Sequence, residues 1–135
     1  MNERGQVSVL VVGMALLAFA VAGLAVDGTR AWLLRRTLQS AADAAALAGA
    51  GALDRAGYYG SAGEDVSLDP VAGRRIALGW LARRSLDARS SVTSSEERVT
   101  VELTSDLPTT FLSIVGVRAI PVGVRADAAP MPGNP

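Results

Sequence analysis

The sequence predicts an α+β protein: a long N-terminal transmembrane helix continues into an alanine-rich stalk and is followed by a small domain with a helix and about three antiparallel strands. Three observations predict it. Val7 to Val26 carries neither charge nor proline, Ala31 to Ala52 keeps a helical small-residue period without a break, and the later segments change to alternating apolar and polar residues. The chain accordingly divides into a short N-terminal segment 1–6, a membrane segment 7–26, a stalk 27–54, a small domain 55–127 and a loose tail 128–135.

The first element is set by length. A helix rises 1.5 Å per residue, so about 20 apolar residues cross the hydrocarbon layer with every backbone polar group satisfied inside the helix. Val7 to Val26 meets that length. Ser8 can bond back to a carbonyl one turn earlier, and Gly13 and Gly23, together with Ala18, Ala22 and Ala25, suit close approach of another membrane helix. A secretory signal with Ala20 and Ala22 at a cleavage site is the competing reading, but the run exceeds the usual signal core of about 7 to 15 residues.

In the stalk, Leu34, Leu38, Ala41, Ala45, Ala48 and Ala52 recur at alternating steps of four and three, the spacing of a helix-packing seam. Small residues there let another backbone come close. The seam has two available partners, this protein's own C-terminal domain and neighbouring subunits, and both can be engaged at different ends. Gln39 and Asp43 stand one turn apart on a more polar side, and Trp32 falls near the membrane surface, where an indole is favoured. A continuous helix from Gly5 to about Asp54 would be roughly 70 to 75 Å long, half of it projecting from the membrane.

Gly57 to Gly63 reads as a turn-rich connector in which the paired Tyr58 and Tyr59 either anchor the small domain or form an adhesive contact, anchoring being the expectation. Asp69-Pro70 reads as an N-cap followed by proline in the first turn, opening a helix to about Ser85. Ala72, Ile76, Trp80 and Leu81 form its apolar face. Arg74, Arg75, Arg83 and Arg84 form either a solvated face or a surface for anionic lipid headgroups or an acidic partner. Val99, Val101 and Leu103 alternate with polar residues as in a half-buried strand, paired with a strand at Ser90 to Thr93 across the polar turn Ser94 to Glu97. Pro108 to Val115 suggests a short helix closed by Gly116. Ile120, Val122 and Val124 mark a last strand, which Pro121 confines to an edge or to a first position.

Composition excludes several functions. The 13 acidic residues balance 13 basic ones, all arginine, so the chain lacks the positive excess a general nucleic-acid binder needs. It contains no histidine and no cysteine, which removes the usual nitrogen and sulfur metal ligands, the common proton shuttle and any disulfide. No glycine-rich phosphate loop or clustered carboxylate pair stands on a strong element. The expectation is a protein without catalytic, cofactor-binding or metal-binding residues, and not an enzyme.

The stretch Arg4 to Ala50, RGQVSVLVVGMALLAFAVAGLAVDGTRAWLLRRTLQSAADAAALAGA, closely resembles the N-terminal region of the TadG-like proteins, a TadE/TadG-related family of tight-adherence (Flp) pilus assembly. Arg4-Gly5 before the apolar run, AVDGTR from Ala25 to Arg30 and LQSAADAAALAGA from Leu38 to Ala50 carry the resemblance. VTVELTSDLPTTFLSIVGVRAIPVGVRADA, Val99 to Ala128, is similar to the tail of short family members. The architecture is similar to that of type IV pilins at the level of fold. One feature departs from the pilin pattern: Gly5 is followed by Gln6, Val7, Ser8, Val9 and Leu10, without the glutamate that accompanies a pilin processing site.

Orientation is open from charge alone, since Arg30, Arg35 and Arg36 follow the membrane segment and only Arg4 precedes it. The resemblance implies a single-pass cell-membrane protein with segment 1–6 cytoplasmic and the domain 55–127 extracytoplasmic. It also implies an accessory, pseudopilin-like or minor-pilin-like role in Flp pilus assembly or a related secretion system of the cell envelope. Expected partners are the lipid bilayer and other pilus-assembly or pilin-like subunits, with homo- or hetero-oligomers formed through the stalk, and no nucleic acid. The alternative is a membrane-tethered binding module whose arginine helix recognises anionic lipid or an acidic protein.

Overall fold

The computed structural model describes residues 3–61 and 66–130. Helix α1, Glu3–Ala50, is continuous through the apolar run and the alanine-rich stretch, neither of which contains a proline to break it. It ends just short of the expected Asp54, where Gly51 enters a turn. Two compact units follow from the contacts, one formed by Met1–Leu34 with Asp106–Ile120 and the other by Arg35–Ser105 with Pro121–Pro135.

In the second unit, helix α2, Arg55–Gly60, stands where the sequence suggests only a turn-rich connector. Asp54 and Gly57 supply the carbonyls that Tyr58 and Ser61 N–H groups bond, so a single helical turn forms despite its two glycines. Tyr58 and Tyr59 meet edge to face with ring centroids 5.8 Å apart. Tyr59 remains 80% exposed, so it does not anchor the domain as expected.

Helix α3, Pro70–Ala82, begins as predicted: the Asp69 carboxylate accepts from the N–H groups of Val71 and Ala72, both at 3.0 Å, and Pro70 occupies the first turn. It stops about one turn before Ser85. The Arg84 N–H bonds the Leu81 carbonyl, tightening the last turn, and Ser85 takes a left-handed φ of 47° that redirects the chain toward the sheet.

Strands β1 (Arg89–Ser94), β2 (Val99–Pro108) and β3 (Ala119–Ala128) form an antiparallel sheet in the order β1-β2-β3. Register between the first two pairs Val92 with Val101 and Ser94 with Val99. Ser95 closes their turn, its hydroxyl accepting from the N–H groups of Glu97 and Arg98. Pro121 lies on β3, an edge strand, which is where a residue lacking an N–H can be accommodated. Strands β2 and β3 extend beyond the alternating apolar residues that announced them, and β1 exceeds the expected Ser90 to Thr93 by one residue at each end.

The period of two puts Val92, Val99, Val101, Leu103, Val122 and Ala126 on the buried face. Leu38, Ala41, Ala42, Ala45 and Ala46 of α1 and Ala77 and Leu81 of α3 are buried as well. The two helices approach closely at a pair of glycines. A Cβ added to Gly49 would stand 2.9 Å from the Gly73 carbonyl oxygen and 3.1 Å from Val99 Cγ1, so only hydrogen fits there. The segment before α3 is tied in by Asp69 N–H to the Ala52 carbonyl and Leu68 N–H to the Glu96 carbonyl.

Candidate functional site

The first unit contains a constellation that the sequence pattern does not announce. Between β2 and β3 the chain forms a loop, with a 3-10 turn at Leu112–Val115 in place of the short helix expected over Pro108 to Val115. Gly116, with φ of 92°, closes it in a left-handed conformation that a side chain would strain.

Asp27 of α1 holds this loop. Its carboxylate is fully buried and accepts from the backbone N–H groups of Thr110 at 3.0 Å, Phe111 at 2.9 Å and Leu112 at 2.8 Å. These are the donors that a 3-10 turn leaves unpaired at its start, and an ionised acceptor makes such bonds stronger than neutral ones. Arg30, one turn on, stands 3.6 Å from Asp27 Oδ1 and donates to Thr110 Oγ1 at 2.8 Å, which compensates the buried charge. Packing completes the clasp. A Cβ on Gly23 would lie 2.5 Å from Phe111 Cβ, so the small residue at that position seats the aromatic side chain.

The loop's outer surface is apolar. Ile114 is 82% exposed and Val115 73%, with Phe111 and Val117 also exposed. With Leu112 of the loop and Leu16, Phe19, Ala20 and Leu24 of α1, Phe111, Ile114 and Val115 line a cleft of about 590 Å³. Such a surface offers van der Waals contact and no acid–base chemistry. Among the described residues, no cluster of carboxylates suited to a metal ion occurs.

The residues singled out from the sequence have different surroundings. Of the seam, Leu38, Ala41, Ala45 and Ala52 are buried within the chain's own second unit, while Leu34 and Ala48 are half-buried. Ala42, Ala46 and Gly49 are buried as well, so the packed stripe is wider than a seam of alternating threes and fours. Gln39 Nε2 donates to Asp43 Oδ1 at 2.9 Å, as the one-turn spacing suggests, and also to the Arg125 carbonyl on β3 at 3.1 Å. Among the arginines of α3, Arg74 Nε donates to the Val92 carbonyl at 3.2 Å and Arg84 lies 4.4 Å from the centre of the Trp80 ring. Arg75 and Arg83 are exposed.

On the far edge of the sheet, Arg125 bridges Glu102 and Asp127, each at 3.2 Å. The hydrogen bond from Arg125, joined by one from the Thr100 hydroxyl, holds the Asp127 carboxyl below the usual range. This cluster is exposed on a strand surface and points to no ligand.

Among the described residues one helix, α1, is long and apolar enough to cross a membrane, and its apolar side chains are exposed rather than packed inside the protein, as those of a membrane anchor are. The model of the putative Flp pilus-assembly TadE/G-like family matches residues 5–52, about a third of the chain. The matched stretch carries Gly23, Asp27 and Arg30 of the clasp together with the whole seam. No curated protein and no solved structure matches the chain. The N-terminal third of the chain is thus similar to a pilus-assembly family, and it contains the candidate membrane span.

Proposed function

We propose that the protein is an accessory, minor-pilin-like component of Flp pilus assembly or a related secretion machine. It acts without catalysis, by helix packing in the membrane and by display of its small domain outside the cytoplasmic membrane, with the N-terminus inside. The family match over residues 5–52 is the observation that carries this reading. Its partners are other pilus-assembly or pilin-like subunits. Since most of the seam is covered by the chain's own second unit, contacts with those subunits fall to the exposed apolar faces of α1, where Val9, Leu10 and Met14 present unpacked side chains. In lipid, such faces associate through van der Waals packing, and Gly13, with no atom within 4 Å of an added Cβ, leaves room for a neighbouring helix.

Deletion of the gene followed by complementation tests this reading. Surface pili or secreted cargo should fall on deletion and return with the intact chain. They should not return with Ala18→Arg, because a charge near the centre of the span costs about 2.5 to 3.5 kcal/mol on insertion. Normal pili in the deletion strain, or full rescue by Ala18→Arg, would overturn it.

A further inference from the structure

We propose that the loop between β2 and β3 is a second membrane-inserted element, with Phe111, Ile114 and Val115 in the acyl-chain region beside Leu16 to Leu24. The inference rests on the reading of Val7 to Val26 as the membrane span and adds a lipid contact that the span alone does not require.

Depth is the first argument. The cleft that the loop shares with α1 is lined by Leu16, Phe19, Ala20 and Leu24, all within the apolar run. Leu16 lies ten residues before Val26. At 1.5 Å per residue that is about 15 Å, half the thickness of a hydrocarbon core of about 30 Å. A loop packed against these residues cannot stay at the headgroup level if α1 spans the bilayer. The occupant of the cleft is therefore lipid acyl chain, continuous with the lipid that covers the rest of the run.

Polar satisfaction is the second argument, and it is independent of the first. Non-helical backbone enters hydrocarbon only where its N–H and C=O groups are bonded within the protein. Here the N–H groups of Thr110, Phe111 and Leu112 go to Asp27, that of Thr109 to the Arg118 carbonyl, and that of Ile114 to the Phe111 carbonyl. Gly116 and Val117 N–H groups bond the Ser113 and Leu112 carbonyls. The hydroxyls are occupied too: Ser113 donates to the Thr110 carbonyl, Thr109 to the Val117 carbonyl, and Thr110 accepts from Arg30. A loop in water has no need to bond its hydroxyls inward while turning isoleucine and valine outward. From Leu107 to Val117 no residue is charged, and Asp106 and Arg118 flank the stretch as interfacial residues would.

The test uses the absence of native cysteine. Single cysteines at Ile114, at Val21 and at Tyr59 carry an environment-sensitive nitrobenzoxadiazole label on the full chain, reconstituted in phosphatidylcholine vesicles with a minority of phosphatidylglycerol. Ile114 and Tyr59 are exposed, so neither substitution opens the core. The expected result is that the Ile114→Cys and Val21→Cys labels both lose most of their emission to lipid nitroxides placed mid-chain and little to aqueous iodide, whereas Tyr59→Cys does the reverse. Iodide quenching at Ile114→Cys with nitroxide quenching kept at Val21→Cys would overturn the inserted loop and leave the anchor standing. Iodide quenching at both would overturn the anchor as well. Shielding of Ile114→Cys from both quenchers would assign the surface to a protein contact and overturn the lipid assignment.

Discussion

Replacement of Gly49 by alanine sets helix propensity against packing, and the geometry decides which wins. Alanine in an exposed helix interior is better than glycine by about 0.8 to 1.0 kcal/mol, and less than this is gained at Gly49, next to the end of α1. Opposing it, the new Cβ would stand 2.9 Å from the Gly73 carbonyl oxygen, 3.1 Å from Val99 Cγ1 and 3.3 Å from Ala77 Cβ. The first of these belongs to the α3 backbone and cannot swing aside, so the helices must separate. Overpacking of this kind costs about 1 to 3 kcal/mol, which exceeds the reduced propensity gain and gives a net loss of up to about 2.5 kcal/mol. Gly79→Ala is the internal control. Its Cβ meets only Arg83 Nη1 at 3.9 Å, an ordinary contact, so the propensity gain is kept. Thermal unfolding of the full chain in detergent, followed through the fluorescence of Trp32 and Trp80, should show Gly49→Ala melting lower than the parent and Gly79→Ala higher. For a domain of this size 1 kcal/mol corresponds to about 4 to 8 °C. A rise in Tm for both variants would refute the close crossing of α1 and α3.

Asp27→Asn keeps the shape but loses the charge and one of the two acceptor oxygens, so hydrogen exchange at Phe111 and Leu112 should quicken while Val71 and Ala72, capped by Asp69, are unchanged. Ser94→Ala should be neutral or stabilising by up to about 1 kcal/mol in the same melting assay, because the Ser94 hydroxyl is buried without a hydrogen-bond partner. The pH response of the sheet edge follows from Asp127, whose folded pKa is lowered by Arg125 and then by Thr100. Its stabilising contribution is full above the unfolded value of about 3.9 and is lost as pH falls through the lower folded value, so the Tm gap between the parent and Asp127→Asn should close in acid.

Period and punctuation made the elements legible. An uncharged apolar run, an Asp-Pro helix start and alternation in threes around Val101 are local signals, and α1, α3 and the strands follow them. The ends were less legible because they depend on partners: α3 stops early where Ser85 must redirect the chain, and β2 and β3 run on beyond their apolar residues because the neighbouring strand continues to supply bonds. Helix α2 was read as a connector because two glycines and two tyrosines in six residues are poor helix formers, yet the carbonyl of Asp54 completes a turn. The clasp at Asp27 had no local signature. Its partners lie more than 80 positions away, and in sequence the residue reads as a charge at a membrane boundary. A carboxylate directly after an apolar run, with a glycine one turn before and an arginine one turn after, is the signal that could have pointed to it. The alanine seam was legible as a packing stripe, and its two candidate partners could be separated only by tertiary structure.

The central claim, a membrane anchor that displays the small domain outside, is tested most directly by single-cysteine accessibility in intact cells whose outer layer has been made permeable. A membrane-impermeant maleimide should label Tyr59→Cys, an exposed site beyond the helix, before lysis, and should label Asn2→Cys only after lysis. Labelling of Asn2→Cys in intact cells, with Tyr59→Cys protected until lysis, would contradict the account.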